Sequence, residues 1–306
     1  MRKEGLRMGV LINVLIPIIL IFTIGYLLQK RQAVDIRPVS AVALYVLTPA
    51  LVFRTFYERE LNSDMLSMAL FSLVFLAVMT GLIKLVSYVR KWPKANETGM
   101  MLSTVFMNAG NYGAPLIAFA FGDTAFAYSI VFMVIQTMLM NTVGVYIANS
   151  ANMDAADAFR TVLRMPVFYA LLAGIVFQLT GIPVGATYYE ALDMLASAAI
   201  PVVMIILGMQ LARISVKSMD WKLVSAGTFL RLVFAPALAY VIALLLQTSD
   251  TLTTVLVVST AMPSAATMAM ISVQFDSNPQ LVSSITLVTT ILSVPSLWVV
   301  LSIFQA

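Results

Sequence analysis

The chain of 306 residues contains no cysteine and no histidine, and only 10% of its residues carry charge. Without Cys and His there can be no disulfide, no thiolate or imidazole metal site, no Ser-His-Asp or Cys-His triad and no imidazole proton relay. The shortage of charge is equally informative. Soluble domains carry about 25% charged and about 45–50% apolar residues, whereas this chain is 61% hydrophobic with a mean hydropathy of +0.96. That composition belongs to an integral membrane protein. The small basic excess, a net charge of +4, lies in short stretches between apolar runs. Orientation in a bilayer explains it, and nucleic acid is not an expected partner.

A spanning helix needs about 20 mostly apolar residues. The sequence divides into ten such runs, at 8–28, 39–57, 66–89, 98–121, 125–149, 162–180, 189–211, 222–247, 251–275 and 280–304. The first follows Arg2, Lys3 and Arg7 as a signal peptide would, but it is too long and no small-residue cleavage site follows, so it reads as a mature helix. Ten spans put both termini on one side. That side would hold Arg2, Lys3, Arg7, Arg54 and Arg59. The other would hold Lys30, Arg31, Arg37, Arg90, Lys91, Lys94, Arg160, Arg164, Arg213, Lys217 and Lys222. The positive-inside rule therefore predicts a multi-pass protein of the cytoplasmic membrane with both termini outside. Lys84 and Arg231 lie within runs, and both are expected to snorkel to an interface.

The longest polar interruption, Asn149 to Arg160, divides the chain into halves of similar length, 1–150 and 151–306. Pro49 and Pro201 stand 152 residues apart and Pro115 and Pro263 stand 148 apart, so the prolines of runs two and four recur in runs seven and nine. A duplicated half with an odd number of spans must insert the opposite way round, giving two inverted five-helix repeats, a common transporter architecture.

Run four holds the most unusual stretch, Asn108-Ala-Gly-Asn-Tyr-Gly-Ala-Pro115. Inside a helix Gly costs about 1 kcal/mol and Pro about 3 kcal/mol relative to Ala, and Pro115 has no N–H for the carbonyl of Asn111. Gly110, Gly113 and Pro115 therefore predict a broken helix, tolerated in a membrane only inside protein or against a water-filled cavity. Run nine carries the matching break, Thr260-Ala-Met-Pro-Ser-Ala-Ala-Thr267. If the two cross, each presents a half-helix N-terminus to one small volume, which suits an anion. Asn108, Asn111, Tyr112, Pro115, Pro263, Ser264 and Thr267 are the candidate substrate-binding residues, and Gln136 and Asn141 could line the same cavity or bond between helices. The alternative is two proline kinks packed for shape. Glu190 and Asp193 open run seven and are expected at the interface. No Asp or Glu lies mid-span, so no carboxylate proton relay is predicted.

These residues resemble the auxin efflux carrier family, which includes bacterial malonate and malate carriers and plant PIN-type carriers. The resemblance runs along the chain. It is carried by the Asn108 to Pro115 spacing, by Ala261-Met-Pro263 leading through Gln274-Phe-Asp-Ser-Asn-Pro279 to Leu292-Ser-Val-Pro295, by Arg231-Leu-Val-Phe-Ala-Pro236 and by Leu47-Thr-Pro-Ala-Leu-Val-Phe53. It implies an all-α membrane fold of ten helices with helices four and nine broken and crossing. It also implies a scaffold of helices one, two, six and seven, a mobile transport domain from helices three to five and eight to ten, and a homodimer through helices two and seven. Asn108 then matches the family's substrate-binding Asn. The short central link lacks the long loop of the plant members, which favours an organic-acid carrier over an auxin exporter.

The expected function is secondary transport of a small mono- or dicarboxylate, such as malate or malonate, by an elevator-like shift of one domain past the other. An anion channel or uncoupled uniporter could use the same crossover. A membrane enzyme lacks a catalytic constellation, and a retinal-type photoreceptor lacks a deep Schiff-base Lys. No cofactor is called for, and Na⁺ or H⁺ coupling is compatible with the chain.

Overall fold

The computed structural model describes residues 14–58, 63–149, 160, 163–213 and 219–304. The basic N-terminal residues Arg2, Lys3 and Arg7, together with Arg59 and Lys217 and most of the central link, lie outside the described residues. The described chain is helical throughout: α1 Ile16–Gln32, α2 Ile36–Glu58, α3 Ser63–Arg90, α4 Lys94–Val105, α5 Ala109–Ala148, α6 Pro166–Thr180, α7 Ala186–Arg213, α8 Trp221–Leu245, α9 Asp250–Thr260, α10 Ala266–Gln274 and α11 Pro279–Phe304. Six of them, α2, α3, α5, α7, α8 and α11, are long and apolar enough to cross a membrane. The ten expected runs do not all yield such a helix, because breaks cut runs four and nine into shorter pieces. α6 has only 15 residues.

Helix limits follow local chemistry. Asp35, Asp220 and Ser249 accept main-chain N–H groups at the starts of α2, α8 and α9. Within α5, Gly122 adopts φ +76°, a conformation costly for other residues, and separates the fourth expected run from the fifth. In the apolar stretches of the six long helices only 28–44% of residues are buried by protein. Their remaining apolar faces have the character of a lipid-facing surface.

Three prolines share one device. The residue ahead of each donates five back rather than four: Thr48 to Ala43, Ala114 to Ala109 and Ala235 to Leu230. Pro49, Pro115 and Pro236 follow these wide turns, which take up the strain of a ring that cannot donate. Pro115 therefore widens α5 near its start and does not break it. The break predicted at Asn108 to Pro115 lies upstream, at Phe106 (φ −100°, ψ 123°) to Asn108 (φ −81°, ψ 62°).

α1 and α7 cross at Gly25 and Gly208. A Cβ on Gly208 would fall 2.0 Å from the Phe22 carbonyl oxygen and one on Gly25 2.1 Å from that of Ile205, so only glycine permits this approach. α2 and α7 are tied by Arg54, which pairs with Asp193 and donates to Ser197 Oγ at 3.3 Å. Asp193, expected to be merely interfacial, thus has a partner 139 residues away. Glu190 is exposed, as is Lys84.

Candidate functional site

The two breaks meet as a short antiparallel pair. Asn108 N–H donates to the Pro263 carbonyl at 2.9 Å, Ala265 N–H donates to the Phe106 carbonyl at 3.1 Å, and Met107 and Ser264 face each other across the pair. Extended backbone at this depth would otherwise strand its polar groups. Pro263 withholds a donor from the Ser259 carbonyl, which accepts instead from Met262 N–H at 3.3 Å. Ser264 N–H is taken by Thr289 Oγ1 at 3.2 Å, and Ser264 Oγ accepts from Thr286 at 3.3 Å.

This pairing sorts the four helix ends. α4 and α9 end at the crossover with their carbonyls, while α5 and α10 begin there with their N–H groups. Arg231 stands at the carbonyl ends, fully buried. Its Nη1 donates to the Thr104 carbonyl at 2.7 Å, its Nη2 donates to that of Thr260, and the guanidinium lies 5.9 Å from the ring centre of Phe75. The expectation that Arg231 snorkels is overturned. Two helix C-termini, with their partial negative charge and orphan carbonyls, hold the cation more cheaply than a long reach to an interface.

The N–H ends face a cavity of about 410 Å³. One wall carries Asn108, Gly110, Asn111, Gln136, Thr137 and Asn141 from α5 and its approach, with Ala265 just before α10 and Thr267 in its first turn. The opposite wall is Ala43, Leu44, Thr48 and Leu51 of α2 and Ala199, Ile200, Val203 and Ile206 of α7. In α5 the first intrahelical bond is Gly113 N–H to the Asn108 carbonyl at 3.0 Å, so the N–H groups of Gly110 and Asn111 precede it at the cavity edge. Asn108 is buried and its Nδ2 has no hydrogen-bond partner among the described residues. A buried amide donor left unpaired costs about 1–3 kcal/mol.

The predicted site residues divide accordingly. Asn108, Gly110, Asn111, Thr267, Gln136 and Asn141 line the cavity. Gln136 Nε2 also donates to Ser72 Oγ at 3.4 Å, and Asn141 Nδ2 to the Thr137 carbonyl at 2.8 Å. Tyr112, Gly113, Pro115, Pro263 and Ser264 do not line it. Tyr112 is buried against Phe22 in an edge-on contact, 5.0 Å between ring centres, and its hydroxyl accepts from Ser293 Oγ at 3.3 Å. Pro263 and Ser264 instead hold the crossover together. Gln210, Thr48 and Arg164 line the cavity without having been singled out in the sequence.

Helices this apolar, paired breaks at their centre and a cavity at two helix N-termini define a membrane transport protein in build. The chain matches the family described as membrane transport protein over residues 10–301, nearly its whole length, and belongs to that family, the auxin efflux carriers. It is 28% identical over 292 residues to an uncharacterized transporter of Methanothermobacter thermautotrophicus, covering 92% of this chain and 94% of that protein. It is 24% identical over 312 residues to an uncharacterized transporter of Methanocaldococcus jannaschii, covering 94% and 97%.

Proposed function

We propose that the protein is a secondary transporter of a small organic anion, a mono- or dicarboxylate such as malate or malonate. The observation that carries this reading is the unpaired, buried Nδ2 of Asn108 in a cavity where α5 and α10 begin. Donors converge there and no Asp or Glu among the described residues lines the cavity, so a carboxylate is the solute whose charge the site complements. Asn108, Asn111 and Thr267 are the proposed contacts.

In this reading the chain crosses the cytoplasmic membrane ten times as two inverted five-helix repeats, 1–150 and 151–306, with both termini outside. α1, α2, α6 and α7 form the scaffold, and the crossover moves with the rest as an elevator. α2 and α7 also supply a homodimer contact. The lining supports such a division: the amides Asn108, Asn111, Gln136 and Asn141 belong to the crossover segments and the helix that follows, while α2 and α7 contribute mostly apolar side chains, together with Ser40, Tyr45, Thr48 and Gln210.

The test is uptake into proteoliposomes of labelled acetate, lactate, malonate and malate, with and without Na⁺ and pH gradients. Saturable uptake of at least one carboxylate, accelerated by the same unlabelled anion loaded on the far side, is the expected result. Uptake that never saturates and shows no counterflow would mark a channel, and no uptake of any carboxylate would remove the anion reading. The gradients identify the coupling ion.

A further inference from the structure

Arg164 lies just before α6, in neither break, and carries the one charged side chain that lines the cavity among the described residues. It is exposed. No hydrogen bond or ion pair to a described residue holds its guanidinium, in contrast to Arg54 and Arg231, which are both committed to partners.

Its place in the fold gives that free charge a direction. The cavity is lined by the first half of α2, the last half of α7 and the start of α6, so Arg164 stands at the end of the cavity toward which α2 begins and α7 finishes. At the far end are Asn108 and the beginnings of α5 and α10. Between them the α2 and α7 wall is largely apolar, with Ser40, Tyr45, Thr48 and Gln210 as its uncharged polar groups, and a cleft with charge of one sign focuses its field on an entering ion. A positive group at the mouth and uncharged donors in the depth make a graded path: the mouth attracts an anion from a distance, and the amide and helix ends bind it after its water is shed.

We infer that Arg164 is the anion-selecting residue of the cavity mouth, raising the encounter rate of carboxylates on its own side of the membrane without holding them in the bound state. This rests on the organic-anion reading proposed above. Because Arg164 precedes α6, part of the proposed scaffold, it meets solute only when the crossover is turned toward its side. Its effect on KM is therefore confined to that side.

The test uses the full chain in proteoliposomes with one orientation silenced, and the four labelled carboxylates named above. Arg164→Gln should raise KM roughly three- to tenfold with kcat unchanged for solute offered on the Arg164 side, and lower kcat by the same factor at constant KM for solute offered on the opposite side, because rim charges act on encounter rather than on the docked complex and so speed entry and exit alike. Added salt should raise the wild-type KM and have little effect on that of Arg164→Gln. Arg164→Lys should restore the wild-type pattern and Arg164→Glu should exceed Arg164→Gln. A wild-type protein that takes up a carboxylate while Arg164→Gln keeps its KM and salt response overturns this assignment and leaves the transport reading intact. A loss of kcat at constant KM for solute offered on the Arg164 side would make Arg164 a structural residue and overturn it as well. Failure of the wild type to take up any of the four removes both proposals.

Discussion

Arg231 reaches across from α8 to donate to the main-chain carbonyl of Thr104, 2.7 Å away in the last turn of α4. The same guanidinium binds the Thr260 carbonyl at the end of α9. A single buried cation therefore joins the two half-helices that end at the crossover, while the two that begin there open on the cavity. The crossover is polarised: positive charge is spent on carbonyls behind it, and unspent N–H groups remain in front.

Arg231→Gln should on this basis act on the fold before it acts on binding. It strands two helix-end carbonyls in a region without water and removes the charge that complements both C-termini, a cost of about 2–5 kcal/mol. The melting temperature of the detergent-purified protein should fall sharply, with Arg231→Lys losing less. Unchanged melting with a large loss of substrate affinity would instead place Arg231 in the anion site.

Asn108→Ala should show the opposite pattern. Its Nδ2 has no partner among the described residues, so truncation forfeits no bond of that group to them. A hydrogen bond to a bound carboxylate is worth about 1.5–3 kcal/mol, so affinity should fall roughly 10- to 150-fold while melting changes little. Asn108→Asp would set a like charge against the substrate and should abolish binding. Affinity and melting measured on one preparation decide it, and intact affinity in Asn108→Ala removes Asn108 from the site.

Helix positions and the two breaks were legible because they rest on local features: apolar runs, caps such as Asp220 and Ser249, and proline. Asn108, Asn111 and Thr267 were legible for the same reason, as polar groups beside predicted breaks. Side-chain direction was not. A turn that closes five back adds a residue to the helix, so the wide turn Ala109–Gly113 shifts the phase of what precedes it, and Tyr112 ends against Phe22 and not in the cavity. Pro115 and Pro263 looked equivalent by spacing, yet one widens a helix and the other sits in extended backbone. The burial of Arg231 needed knowledge of two distant helix ends, which no local pattern supplies. Its depth in an apolar run was the one signal.

Gly208→Ala tests the close crossing of α1 and α7. The added Cβ is fixed to its helix and would meet the Phe22 carbonyl oxygen, a backbone atom, at 2.0 Å, so the helices must move apart. Overpacking of this kind costs about 1–3 kcal/mol where side chains can adjust and more where backbone must shift. A clear drop in melting temperature is expected. Gly81→Ala, with nothing within 4 Å of the added Cβ, should be neutral or slightly stabilising as a control.

Orientation can be tested directly because the chain contains no cysteine and introduced thiols will stand alone. Lys91, beyond the end of α3, and Ile182, between α6 and α7, are both exposed. Ten crossings with the eleven-residue basic set inside put Lys91 in the cytoplasm and Ile182 outside. A membrane-impermeant maleimide applied to intact cells should label Ile182→Cys and spare Lys91→Cys until the membrane is opened. The reverse pattern would invert the topology and place the mouth that carries Arg164 on the outer face. Labelling of both or of neither would show that an even number of crossings separates them, and the ten-span count would have to be redrawn between α3 and α7.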